Sequence, residues 1–227
     1  MNASWPCPGP DGPTEELAVA FERSAIPPRR HRLLIVPPLF EEMNRTRRFL
    51  VDTMRRLDMS GIDSFLPDLP GCNESLQPFE AQSLYGWRRA MGQAALHFRA
   101  THVLAMRGGA LIFPNALPGW VLEPVKGASL LRQMLRARTI AAREAGHSEV
   151  MADLLEQGRT EGLELAGYHL GASLVAGLES AVPLDEGQRE IRQSDLGGGA
   201  LWLRSEPGED AAQADALAAL IAGGIAA

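Results

Sequence analysis

The chain predicts an α/β fold, a mostly parallel sheet with helices on both faces. Short, wholly apolar runs alternate with segments of helical periodicity about ten residues long or more. Pro or Gly closes most of these runs, as Pro37-Pro38, Pro67, Gly108-Gly109 and Pro124 do. A strand that is apolar on both sides needs a covering layer above and below, which parallel crossovers supply. At 227 residues, 45% hydrophobic and 22% charged, the chain suits one domain with a sizeable core.

Residues 1–30 are rich in Pro and Gly and read as a poorly ordered arm, with at most one edge strand around 17–21. The domain proper spans 31–227. Its first strand is 33–36, Leu-Leu-Ile-Val. A helix over 46–57 follows, with Phe49, Leu50, Met54 and Leu57 on one stripe. The next strand is 64–66. A helix over 84–98 carries Trp87, Met91, Ala94, Ala95 and Phe98 on one side. Strand 102–106 runs into Arg107-Gly108-Gly109 and a short helix over 110–113. Strand 120–122, a helix over 129–143 and weaker helices over 150–157 and 170–178 come next. The last strand is expected at 200–203, before an Ala-rich final helix. Residues 144–198 are the least regular part and read as an insertion, a lid over the strand ends or a scaffold excursion.

Ligands of such sheets sit at the carboxyl ends of the strands, so the residues just after each strand matter most. The segment His-Val-Leu-Ala-Met-Arg-Gly-Gly-Ala, 102–110, has the pattern of a nucleophile elbow: a strand, a sharp turn and a helix, with Ala105 and Gly109 flanking the apex. That pattern belongs to the α/β-hydrolase fold, where the apex is a serine. Here it is Arg107. Arginine offers no lone pair and stays protonated. Arg107 is therefore either an anion anchor at the site floor or one half of a salt bridge to a carboxylate in the loops, such as Glu41 or Glu42.

The loop 36–44, Val-Pro-Pro-Leu-Phe-Glu-Glu-Met-Asn, occupies the place from which this fold supplies an oxyanion-hole amide, at Leu39 or Phe40. Glu41 and Glu42 are candidate general bases or helix-start acids. Asn44, Met106 and Gly108 join Leu39 and Phe40 as expected ligand contacts. The turn 68–75, Asp-Leu-Pro-Gly-Cys-Asn-Glu-Ser, resembles the Asp-x-x-Gly-x-Gly-x-Ser turn of α/β hydrolases, with Asn73 at the second glycine's place. It is chiefly structural, and Cys72 is a nucleophile only if a base activates it.

These loops, with Arg-Gly-Gly-Ala at 107–110, Glu-Pro-Val-Lys-Gly-Ala-Ser-Leu-Leu-Arg-Gln at 123–133 and Ala-Gly-Tyr-His-Leu at 166–170, occur in an order that resembles a known family. It is the second hydrolase associated with the exosortase A system, an α/β-hydrolase family linked to exopolysaccharide and protein-sorting gene clusters. The likeness covers roughly residues 32–205. It implies an ester or thioester hydrolase label, but the nucleophilic serine is absent. The expected acid would come from Glu206, Glu209 or Asp210, and no histidine follows His169.

Other chemistries are disfavoured. A net charge of −6 argues against a nucleic-acid binder, despite local clusters at 29–32 and 45–48. Five histidines lack metal-ligand spacing, and no Gly-rich phosphate or dinucleotide loop occurs, so neither metal nor cofactor is expected. Two cysteines make no disulfide framework, and there is no leader pattern or long apolar stretch, so the expectation is a cytoplasmic protein with no transmembrane segment. Three functions compete: a hydrolase-like protein holding a small acyl or anionic ligand, a catalytically inactive scaffold that binds a partner protein, and a distinct enzyme with Glu41 or Glu42 as general base. The first two part on whether Arg107 faces an open pocket or a buried carboxylate.

Overall fold

The structure is a computed structural model and describes residues 2–9, 12–24, 29–114, 117–184 and 187–226. In chain order the strands are β1 (Asn2–Gly9), β2 (Gly12–Phe21), β3 (Arg32–Val36), β4 (Asp63–Pro67), β5 (His102–Met106), β6 (Gly119–Leu122), β7 (Leu163–Leu165), β8 (Tyr168–Leu170) and β9 (Arg189–Ile191). The helices are α1 (Glu41–Met59), α2 (Leu84–His97), α3 (Gly127–Glu144), α4 (Met151–Thr160), α5 (Ala172–Ser180), α6 (Gln193–Leu196) and α7 (Ala211–Ala226).

Among the described residues, seven strands form one sheet in the order β1-β2-β4-β3-β5-β6-β9. β4, β3, β5, β6 and β9 are mutually parallel, while β2 joins β4 antiparallel and β1 joins β2 antiparallel. The side-chain alternation of each central strand feeds two separate cores. Leu34, Val36, Phe65, Val103, Ala105 and Val121 face a core shared with α2, α3 and α5. Leu33, Ile35, Leu66, Leu104, Met106 and Leu122 face the core beneath α1 and α7. The apolar runs are continuous in the sequence because both faces are covered.

Three sequence expectations give way. The arm expected over residues 1–30 holds the β1–β2 hairpin. Its Pro-rich composition suggested disorder, but Trp5, Cys7, Ala18 and Ala20 bury on the α2 side of the sheet, and Trp5 Nε1 donates to the Leu17 carbonyl at 3.3 Å. Prolines are tolerated because β1 is an edge strand. The apolar run at 200–203 is no strand; it forms a 3₁₀ turn, Leu201–Leu203, whose Leu201 and Trp202 pack into the core under α1 and α7. The edge strand is β9 instead, three residues of which only Ile191 is buried. The helix expected at 110–113 is a 3₁₀ turn that begins earlier, Arg107–Ile112.

Within the segment 144–198, α4, the β7–β8 hairpin and α5 form a packed layer. Leu154, Leu163, Leu165, Leu170, Leu174, Val175 and Leu178 belong to the main core. Close backbone approaches hold this layer: a Cβ on Gly127 would lie 2.3 Å from the Leu178 carbonyl oxygen, and one on Gly171 2.2 Å from that of Glu80.

Candidate functional site at the strand ends

β5 ends at Met106, and the chain turns at Arg107, whose φ of 54° lies in the left-handed region. That conformation costs a non-glycine residue about 1–2 kcal/mol and is held by what surrounds it. Gly109 abuts the end of β3 so closely that a Cβ would stand 2.4 Å from the Pro37 carbonyl oxygen. Ala105 is fully buried. The elbow therefore has the backbone shape that its small flanks imply, with arginine at the apex.

The loop after β3 carries a second left-handed residue, Phe40 (φ 59°), which opens α1 without a side-chain cap. Glu41 and Glu42 then fall in the first helical turn, where the exposed amides favour carboxylates. Consecutive helix positions diverge, so the two acids part. Glu41 turns outward to Arg45, and Glu42 turns inward and is buried.

Glu42 meets Arg107 in a two-toothed ion pair: Nε donates to one carboxylate oxygen at 3.1 Å and Nη2 to the other at 3.0 Å. The side chains are only 14% and 9% exposed. Nη1 of Arg107 donates to the Glu123 carbonyl at 3.3 Å. The Trp202 ring covers the guanidinium, 4.8 Å from ring centroid to Cζ, a cation–π contact. Arg45 Nη1 donates to the Trp202 carbonyl at 3.2 Å, holding that residue in place. Glu123, itself at φ 47°, accepts the Gln193 amide on its carboxylate at 2.7 Å and so ties the ends of β6 and β9 together.

This assembly can do little proton or nucleophile chemistry. Arg107 has no lone pair to attack with. Both oxygens of Glu42 accept from the guanidinium, and the carboxylate is buried against it. The cavity beside the pair, bounded by Leu39, Phe40, Glu42, Arg45, Leu130 and Met134, measures about 110 Å³, below the ~300 Å³ at which small-molecule pockets begin.

The other expected site residues scatter. Gly108 sits against Leu39, 3.0 Å from its Cγ at the position a Cβ would take. Met106 is fully buried in the core under α1 and α7, so no ligand reaches it there. Asn44 lies on a different cavity, with Cys72, Asn73, Tyr168 and His169. The 68–75 turn is a structural clamp: Asp68 accepts from Arg47 at 2.8 Å and from Asn73 at 2.6 Å, and Ser75 bridges the Gly71 amide and Glu16. Burial, then the charges of Asp68 and Glu16, push the Cys72 thiol up to about 12, the reverse of an activated nucleophile.

Glu206 is exposed, Glu209 pairs with Arg48 at the surface, and Asp210 caps α7 through the Gln213 amide. That amide is the leading reason the Asp210 carboxyl stays below its usual range. His169 is exposed on the β7–β8 hairpin, 4.0 Å from Glu164. His102 opens β5, at the opposite end of the strand from Arg107; burial, then His31, depress its pKa. Sequence reasoning missed Trp202 as part of the site, since nothing local tells a ring that covers a charge from one that fills a strand. Among the described residues, no cluster of His, Cys, Asp and Glu could hold a metal, and no helix is long and apolar enough to cross a membrane.

No protein-family model matches the sequence, and no curated protein does. Solved structures do match in shape. The α/β hydrolase GrgF from Penicillium sp. sh18 superposes with a TM-score of 0.51 at 13% identity, covering 79% of this chain and 72% of that one. Est1E from Butyrivibrio proteoclasticus, solved with ferulic acid, gives 0.49 at 15% identity over 78% and 70% of the two chains. The esterase EaEST from Exiguobacterium antarcticum gives 0.45 at 11% identity over 64% of this chain, which spans 58% of the esterase's length. Together with the parallel sheet and its helical layers, the GrgF likeness establishes the α/β-hydrolase fold. At these identities the resemblance is one of fold.

Proposed function

We propose that this protein is a hydrolase-fold binding scaffold of an exosortase or exopolysaccharide system, without Ser-His-Asp catalysis, whose partner is another protein. One observation carries this reading. The apex of the elbow is closed by the Arg107–Glu42 pair, with Glu123 and Trp202 completing its shell. An anchor for a substrate anion needs an unpaired cation facing open space, and Arg107 spends its fork on a buried carboxylate. The tie to an exosortase system rests on the sequence resemblance alone. The layer formed by α4, β7, β8 and α5 then serves as a fixed cover over the strand ends, not as a gate.

The competing reading, a hydrolase-like protein with a small acyl or anionic ligand on Arg107, is separated by one experiment. Ester and thioester hydrolysis is measured across acyl lengths for wild type and Arg107→Ala. The scaffold reading expects no turnover above buffer in either. Turnover in wild type refutes it, and turnover that disappears in an Arg107→Ala variant still folded by circular dichroism establishes an active site built around the arginine.

A further inference from the structure

A second feature lies away from the elbow, on the outer face of α2. The buried side of this helix is Leu84, Trp87, Ala90, Met91, Ala94 and Ala95. Its outward stripe runs Tyr85, Arg88, Arg89, Gly92 and Leu96, positions that helical spacing brings onto one face. Solvent-facing helix stripes are usually polar. Here Tyr85 is 72% exposed and Leu96 74%. Between this stripe and the wall made by Ala100, Pro114 and Leu117 runs a cleft of about 480 Å³, inside the ~300–1,000 Å³ range of small-molecule pockets.

The charges in the cleft are of one sign. Arg88 and Arg89 line it, and among the described residues no carboxylate does. Arg88 is fixed from behind, its Nη2 donating to the Leu111 carbonyl at 2.6 Å, while its Nε–H has no acceptor among the described residues. Arg89 lies over the Tyr85 ring at 5.9 Å. Two guanidinium groups with no acidic partner among the described residues, in a chain of net charge −6, form a local positive field beside an apolar surface.

Gly92 is an independent sign. Glycine inside a helix costs about 0.5–1 kcal/mol relative to alanine, and proteins usually recover that through a close contact. A Cβ at Gly92 would meet nothing within 4 Å. The space above the helix is therefore open at this position, with no neighbouring group filling it.

We propose that this cleft binds a soluble, single-chain anionic amphiphile, its carboxylate or phosphate on Arg88 and Arg89 and its alkyl chain along Gly92, Ala95 and Leu96. The cleft includes neither Arg107 nor Glu42, although Arg88 is anchored on the far end of the same 3₁₀ turn, and the inference does not depend on the function proposed above. Charge complementarity favours an anion; the apolar wall and the room above Gly92 favour a chain over an inorganic ion.

The test uses the full chain with dodecanoate, dodecyl phosphate and dodecanol as probes, below their aggregation concentrations, by isothermal titration. Saturable one-to-one binding of both anions is expected, with dodecanol at least tenfold weaker. Arg89→Ala should weaken the anions about tenfold. Gly92→Leu should abolish binding of all three while leaving thermal stability at or above wild type, because it fills the cleft and improves helix propensity. Both substitutions are on the helix surface, so the fold survives them; circular dichroism checks this. Absence of saturable binding overturns the proposal, as does equal affinity for dodecanol and dodecanoate, or binding that survives Gly92→Leu. Sedimentation with vesicles containing phosphatidylglycerol, without binding of the monomeric probes, overturns it in favour of a membrane surface.

Discussion

Replacing Arg107 with alanine should destabilise the protein by about 3–4 kcal/mol, the cost of leaving one member of a buried ion pair alone. The magnitude follows from the exposure of the two side chains, 14% for Arg107 and 9% for Glu42, which leaves little water to solvate an orphaned carboxylate. Losing the Trp202 stacking and the bond to the Glu123 carbonyl adds to the deficit. Alanine at φ 54° keeps the backbone strain, whereas Arg107→Gly relieves it and should be about 1 kcal/mol milder. With a urea slope of about 3 kcal/mol per molar, the alanine variant's midpoint should fall by about 1 M. The coupling is read from a cycle with Glu42→Met. The double variant should recover about 2 kcal/mol relative to the sum of the singles, because no charge is then left buried. A midpoint shift under about 0.3 M, with additive singles, would refute the reasoning that this pair closes the elbow.

Three further outcomes follow from the same structure. Gly109→Ala puts a methyl 2.4 Å from one backbone oxygen and 2.8 Å from another, so a loss of about 3 kcal/mol or failure to fold is expected in urea unfolding; a wild-type midpoint would disprove the close approach. Asp58 is held below its usual pKa first by Arg23 and also by Arg29, so its contribution is present above the unfolded-state value of about 3.9 and fades as pH falls through the lower folded value. Asp58→Asn should therefore destabilise at pH 7 and lose that penalty in the acid range, and a pH-independent penalty contradicts this. Burial is the first cause raising the thiols of both Cys7 and Cys72 to about 12, so a thiol-exchange reagent at pH 8 should label neither until urea unfolds the chain; rapid labelling of the native protein would show the burial to be wrong.

Much of the fold was legible because burial on two faces leaves a plain mark. The runs at 33–36, 102–106 and 120–122 lie within β3, β5 and β6, and the periodic segments at 84–98 and 129–143 fall on α2 and α3 within two residues at each end, while α1 begins at Glu41, ahead of the expected 46–57. What failed was local composition at the sheet margins. β1 contains Pro6 and Pro8, which its edge position tolerates, and β2 contains Pro13 ahead of the stretch Ala18–Phe21 that pairs with β4, while a sequence pattern reads all three as disorder. β9 has one buried residue in three, too little for any periodicity to register.

The sequence by itself determined the elbow: the turn after β5, the small residues on either side of it, and an apex residue that cannot act as a nucleophile. It also offered two adjacent acids, Glu41 and Glu42, as examples of a partner for the arginine. Only the tertiary structure decided between Glu41 and Glu42, since neighbouring helix positions point about 100° apart and the entry angle of α1 is set by the loop after β3. Likewise only the fold could turn Leu201-Trp202-Leu203 from an apparent strand into the cover over Arg107. A hydrophobic residue states that it will be buried; which surface buries it is a property of how distant segments meet.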